Sequence, residues 1–246
     1  MSTTTLSATL TSVTLPVMEH FYTLQGEGFH QGRAAYFVRL GGCDVGCVWC
    51  DVKESWDANI HPRFSIEEII QTIIRCCGQP EEKKKSPIVV ITGGEPLMHN
   101  LDELTASLQQ AGFETNIETS GAHPLSGNWD WICLSPKKFK APLPGILLVA
   151  NELKVIIFNK SDFDWAEKYA AMVNANCKLY LQPEWDKAAE MTPLIIEYIK
   201  ANPQWELSLQ IHKYINVPSW HTLNSCIFIG KILQGNFNNQ SLASTQ

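Results

Sequence analysis

Three cysteines fall within eight residues of the stretch GGCDVGCVWCD, at Cys43, Cys47 and Cys50, and no fourth follows nearby. A structural zinc site closes on four ligands, and disulfides consume cysteines in pairs, so an isolated triplet suits neither. Zinc would have to recruit a distant fourth ligand such as His20 or His61. A loop spaced C-x3-C-x2-C can instead wrap three thiolates around one corner of an iron–sulfur cluster. A four-iron cluster held this way keeps one iron free of protein, open to a small molecule that chelates through an amine and a carboxylate. Cys76, Cys77, Cys133, Cys177 and Cys226 stand singly or side by side and read as small buried hydrophobes.

The chain has 246 residues and a net charge of -6. That length buries a core without cross-links and suits one α/β domain or two small ones. An acidic balance speaks against a nucleic-acid surface. The single basic run, Lys83-Lys84-Lys85, follows Glu81-Glu82 and reads as a solvated loop. The N-terminal MSTTTLSATLTSVTLPVM lacks the basic and apolar regions of a secretory signal, and no apolar run reaches membrane-spanning length. The expectation is a cytoplasmic protein with no membrane and no nucleic-acid partner. Residues 1–16 are expected to form a flexible segment, 17–218 the core domain and 219–246 a polar appendage.

AAYFVRLGG reads as a strand that delivers the chain to the cysteines. Ser65 and Glu68 form a capping box ahead of Ile66, Ile69, Ile70, Ile73 and Ile74, which keep helical spacing. PIVVITGGEP, FETNIETSG, WDWICLSPK, NELKVIIF, CKLYLQPEW and WELSLQIHKY read as further strands. Between them lie helices LDELTASLQQAG, closing at Gly112, SDFDWAEKYAAMV, and MTPLIIEYIKANP with Thr192 as N-cap and Pro193 in the first position. Such alternation predicts βα units and a mostly parallel sheet. Polar residues follow five of the strands: Thr92 to Glu95, Glu118 to Gly121, Ser135 to Lys137, Gln182 to Glu184, and His212-Lys213. In α/β barrels and doubly wound sheets that edge carries the site.

The cysteine spacing, with Trp49 before the last cysteine and TGGEP downstream, resembles the radical S-adenosylmethionine (SAM) superfamily. FYTLQGEG, GRAAYFVRLGGC, TGGEP, IETSG, SPK, NELKVII, YLQPEW and SLQIHKYINVP then occur in the order found in its 7-carboxy-7-deazaguanine synthase family, over about Val17 to Pro218. The resemblance implies an α/β fold, a partial TIM-type barrel, a 4Fe–4S cluster on Cys43, Cys47 and Cys50, and SAM on the open iron. It implies conversion of 6-carboxy-5,6,7,8-tetrahydropterin to 7-carboxy-7-deazaguanine with release of ammonia, through a 5′-deoxyadenosyl radical. An electron donor such as flavodoxin and a homodimer come with it. A glycyl-radical activase and a cluster-bearing electron carrier are the rival readings; the first would not need the TLQGEG and QIHKY segments, and the second would saturate its irons with cysteine.

Position by position, the resemblance places Leu24, Gln25, Gly26, Arg39, Thr92 and Pro218 on substrate, with Glu27 and His212 as catalytic. It places Gly94, Glu95, Glu118, Thr119, Ser135, Pro136, Lys137, Gln182, Pro183, Glu184 and Trp185 on SAM. Two departures stand out. Relatives continue the third cysteine as Cys-Asp-Thr or Cys-Asp-Ser, a hydroxyl implied as a magnesium ligand; here Val52 follows Cys50-Asp51 and has no side-chain oxygen. The resemblance still implies magnesium, which would then bind through substrate, waters and Asp51 or matter less. Many relatives also end near HKYxNIP, whereas this chain continues for 28 residues past Pro218, which therefore has no free carboxylate.

Overall fold

Apolar and polar residues alternate along most of these strands, and the structure, a computed structural model, turns that alternation into a two-faced sheet. It describes residues 13–81, 85–215 and 217. Residues 1–12, part of the 81–85 run, Pro218, Cys226 and the 219–246 appendage lie outside the described residues.

Among the described residues nine strands form one sheet: β1 (Thr14–Leu24), β2 (Ala34–Leu40), β3 (Arg63–Ser65), β4 (Ile88–Gly93), β5 (Glu114–Thr119), β6 (Trp131–Leu134), β7 (Glu152–Ile157), β8 (Lys178–Pro183) and β9 (Trp205–Leu207). Their lateral order is β3-β1-β2-β4-β5-β6-β7-β8-β9. From β2 onward every pairing is parallel, and the strands add in chain order. A doubly wound sheet reverses direction at a switch point, and this one does not. The progression is that of a TIM-type barrel left open, with β3 and β9 as its edges. β1 is antiparallel to both neighbours. The paired chain begins earlier than Val17, because Thr14, Leu15 and Pro16 pair with Ser65, Phe64 and Arg63.

On the outer face Val89, Ile91, Ile117, Leu153, Val155 and Leu181 pack beneath the helices. These are α1 (Ile66–Cys77), α2 (Asp102–Gln110), α3 (Pro144–Val149), α4 (Asp162–Ala170), α5 (Ala188–Ala201) and α6 (Ile211–Tyr214). Ser65 and Glu68 make the reciprocal capping box, and Ile66, Ile69, Ile70 and Ile73 of α1 are buried. Each such side chain contributes roughly 1.5–3 kcal/mol. Gly112 follows the end of α2 with a positive φ, and its amide bonds back to Gln109. The inner face is different. Ala35, Ile88 and Val90 form a small apolar floor, and Asn116, Glu118, Glu152, Lys154 and Gln182 share the same face.

Two of the predicted elements take a different form, and β1, β3 and α3 have no counterpart among them. α5 starts at Ala188, so Thr192 caps nothing and Pro193 lies inside the helix. It is tolerated because it falls just past the first turn, where its missing N–H forfeits a single bond. The last predicted strand stops at Leu207, and Ile211–Tyr214 form a helical turn. Ser208 ends the ladder by turning its hydroxyl to Gln182.

Candidate active site

The carboxyl ends of the parallel strands surround one cavity of about 530 Å³, within the range of small-molecule sites. Every predicted site residue that the structure describes lines it, apart from Pro136, which is buried.

β2 hands the chain to Gly41-Gly42 and the cysteine loop. Gly42 N–H donates to the Ser55 carbonyl and Cys43 N–H to that of Trp56, tying the loop to its own return. The TGGE turn of β4 packs directly on it: Gly94 N–H donates to Leu40 and Glu95 N–H to Gly42. A Cβ on Gly94 would lie 2.2 Å from the Gly42 carbonyl oxygen and 2.9 Å from Cys43 Cβ, so only glycine permits that contact. Cys47 is buried, Cys43 and Cys50 are half-buried, and all three are free thiols packed with Val45 and Ala122. Burial pushes the Cys43 and Cys47 thiols above their ordinary range. Among the described residues no three His, Cys, Asp or Glu converge on a point that would hold a single metal ion. Both histidines considered for zinc are engaged elsewhere, His20 with the Tyr36 hydroxyl at 2.6 Å and His61 with the Glu54 carbonyl at 2.8 Å. Thiolates that each bind a separate iron need no common point, and this soft, half-enclosed donor set fits a cluster.

Several residues expected on SAM are already committed. The buried Glu95 carboxylate accepts from Leu97 N–H, the Thr119 hydroxyl, and the N–H and hydroxyl of Ser120. Four donors fill its four lone-pair positions. Glu95 is therefore a clasp between β4 and β5, not an open acceptor. Thr119 also receives Gly121 N–H. Glu184 accepts from Lys187 N–H and caps the 3₁₀ turn Trp185–Lys187. Lys137 reaches Ser135 Oγ at 2.6 Å and lies 5.3 Å from the Trp49 ring, and burial lowers its pKa.

A charged cradle faces them. Lys154 Nζ lies 2.6 Å from Glu27 Oε2 and 2.7 Å from Glu118 Oε2. Burial opposes the Lys154 charge, but Cys133 and the carboxylates of Glu118, Glu27 and Glu152 outweigh it and hold the ammonium well above the ordinary lysine range. Glu27 also accepts from Gln182 Nε2 and Gln210 Nε2. Burial raises the Glu27 pKa, yet Lys154, Gln210 and His212 bring it down to about 2. A carboxylate so firmly ionised is a poor proton acceptor and a strong hydrogen-bond acceptor. Gln25 bridges Glu118 and the Glu27 amide. His212, carried by α6, sits against Gly26, and Ile211 N–H donates to the Gly26 carbonyl. Burial keeps its imidazole on the neutral side. Arg39 gives Nε to Glu19 at 2.7 Å, which leaves both terminal nitrogens for a ligand.

A model of the radical SAM superfamily matches residues 37–134. A 7-carboxy-7-deazaguanine synthase from Flavobacterium psychrophilum is 53% identical over 204 residues, covering 83% of this chain and 93% of the relative. One from Synechocystis is 49% identical, covering 85% and 96%. A crystal structure of QueE from Escherichia coli superposes with a TM-score of 0.68 at 33% identity, over 80% of this chain and 93% of that one. The chain belongs to the 7-carboxy-7-deazaguanine synthase family. Members of that family are radical SAM enzymes, so a 4Fe–4S cluster and SAM are its cofactors.

The sequence reading passed over Lys154, Gln210, Ser120 and Glu19. Lys154 left a signal: a lysine inside the apolar run ELKVII is costly to bury alone and must find carboxylates. The others look like ordinary polar residues until the fold brings them together. The magnesium site implied by relatives does not fit here. Val52 offers no side-chain oxygen, its carbonyl accepts both the N–H and the hydroxyl of Ser55, and Asp51 pairs with Lys213.

Proposed function

We propose that this chain converts 6-carboxy-5,6,7,8-tetrahydropterin into 7-carboxy-7-deazaguanine with release of ammonia, as a carbon–nitrogen lyase of 7-deazapurine (queuosine) biosynthesis. One observation carries it: a single cavity joins the cysteine triplet to a cradle of Glu27, Gln25, Arg39 and His212. A pterin presents ring N–H and amino donors, which suit the ionised Glu27, and a carboxylate, which suits the free fork of Arg39.

When bound, the cluster and SAM would supply the radical chemistry, and the chain's own residues would orient and shield it. Cys43, Cys47 and Cys50 would hold the cluster. The Gly93-Gly94 backbone receives the methionine ammonium, and Ser135, Pro136, Lys137, Pro183 and Trp185 flank the nucleoside side, braced by Glu118, Thr119, Gln182 and Glu184. Leu24, Gln25, Gly26 and Thr92 border the substrate. Neutral His212 closes over the ring without adding charge beside Lys154. An external one-electron donor such as flavodoxin, a homodimeric assembly and a cytoplasmic location complete the reading on family grounds. No helix among the described residues is long and apolar enough to cross a membrane.

Anaerobically reconstituted protein, given SAM, reductant and the pterin, is expected to form 7-carboxy-7-deazaguanine and ammonia in equal amounts. SAM cleavage with no deazaguanine would overturn the assignment and favour another radical chemistry.

A further inference from the structure

Asp51 and Lys213 meet on the wall of the cavity, Nζ to Oδ2 at 3.3 Å, beside Val52. We propose that the Lys213 ammonium stands where relatives are implied to hold a divalent cation, carrying the positive charge against the substrate's anionic edge, so that turnover needs no magnesium. This rests on the pterin reaction proposed above.

The donor set decides it. Magnesium demands near-octahedral oxygen ligands at about 2.0–2.1 Å. Val52 lines the cavity with no side-chain oxygen, and its carbonyl is occupied twice, by Ser55 N–H at 3.1 Å and Ser55 Oγ at 2.7 Å. Only the Asp51 carboxylate remains, and a cation binding there would displace an ammonium already in place. Lys213 is held rather than waving. Its Nζ lies 4.8 Å from the centre of the Trp185 ring. Its backbone N–H donates to Gln210, and the preceding Ile211 is tied to Gly26. An ammonium has three N–H groups. Asp51 and the Trp185 face occupy two directions, which leaves the third for a substrate oxygen. A compact, strongly hydrated point charge is also the side chain nearest in character to a small hard cation.

The test uses the reconstituted holoenzyme. Wild-type kcat/KM for the pterin is expected to agree in excess EDTA and in millimolar MgCl2; magnesium stimulation of more than about threefold would overturn the proposal. Mn2+, counted by its free EPR signal over the diamagnetic oxidised cluster, is expected to stay unbound with SAM alone and with SAM plus pterin. Stoichiometric Mn2+ uptake in either state overturns it. Lys213→Met is expected to lower kcat/KM for the pterin by about tenfold to a hundredfold, the loss of one charge-assisted contact. The SAM-induced change in the reduced cluster's EPR spectrum is expected to persist in that variant. Full activity in Lys213→Met removes the proposal. Val52→Thr combined with Lys213→Met is expected to gain magnesium stimulation that the wild type lacks. If the wild type cleaves SAM yet yields no deazaguanine, the reaction falls, and Mn2+ binding with SAM alone still decides the cation site in either direction.

Discussion

The Lys154 ammonium joins two carboxylates from distant parts of the chain, Glu27 in the loop after β1 and Glu118 near the end of β5, at 2.6 and 2.7 Å. Its side chain is 3% exposed, against 17% and 21% for its partners. Removing the cation leaves two carboxylates facing each other at low water access. Lys154→Met is expected to destabilise the fold by about 3 kcal/mol, the low end for a broken buried pair, since both carboxylates border the cavity. Adding Glu118→Gln relieves the repulsion and is expected to return about 1–2 kcal/mol of it, measured by urea unfolding as a double-mutant cycle. A single variant within about 0.5 kcal/mol of wild type contradicts this account.

Glu27 gives the fold an acid-sensitive contribution. Its pKa drops from the ordinary 4.5 to about 2, the net of burial raising it and Lys154 and Gln210 lowering it. A depressed folded-state pKa means stability that is fully present above about pH 4.5 and lost as pH falls toward 2. Over that window unfolding takes up close to one proton at this site, a slope of about 1.4 kcal/mol per pH unit. Glu27→Gln is expected to flatten the acid limb of the stability curve of cluster-free protein accordingly. It is expected to weaken pterin binding without moving the pH optimum, because Glu27 stays ionised throughout the neutral range. A shifted optimum would restore it as a proton carrier.

The cysteine spacing, the TGGE turn and the strand endings were legible because each depends on local chemistry: thiols in one loop, glycines where backbones touch, polar groups where buried strands surface. Lys154 was not read, although NELKVII shows it. Apolar periodicity identifies a buried strand but does not say which face looks inward, and the inner face here sets Asn116, Glu118, Glu152, Lys154 and Gln182 beside a small apolar floor. β1 escaped for the same reason, since TLPVMEHFYTL mixes both kinds of residue. α6 was taken into the preceding strand because IHKY carries no capping residue; its helical turn depends on the bond from Ile211 to Gly26, which no local pattern encodes.

Glu95 distinguishes a clasp from a ligand. Its two oxygens receive four donors from Leu97, Thr119 and Ser120. Glu95→Gln keeps the shape but turns an NH2 against those donors, leaving buried groups unpaired. The expected cost is about 2–3 kcal/mol in thermal or urea unfolding of the SAM-free protein. A ligand role would instead leave stability unchanged and weaken SAM binding, so the two measurements together decide.

Gly26 and His212 press against each other on the cavity wall. A Cβ at Gly26 would lie 2.2 Å from His212 Nδ1, 2.9 Å from Cγ and 3.0 Å from Cβ, so the ring must move away. Gly26 takes no left-handed φ, so the added methyl acts through this contact alone. Displacing a group over the reacting ring by about 1 Å is worth up to about a hundredfold in rate. Gly26→Ala is therefore expected to lower kcat by that order while SAM affinity and the melting temperature stay close to wild type, because α6 is short and packs at the rim. His212→Ala removes the ring itself. In that background Gly26→Ala is expected to cost far less, since the ring contacts are gone and only the 3.0 Å approach to Cβ remains. If the two losses simply multiply, the ring is not what the methyl displaces, and His212 does not cover the substrate in the manner proposed.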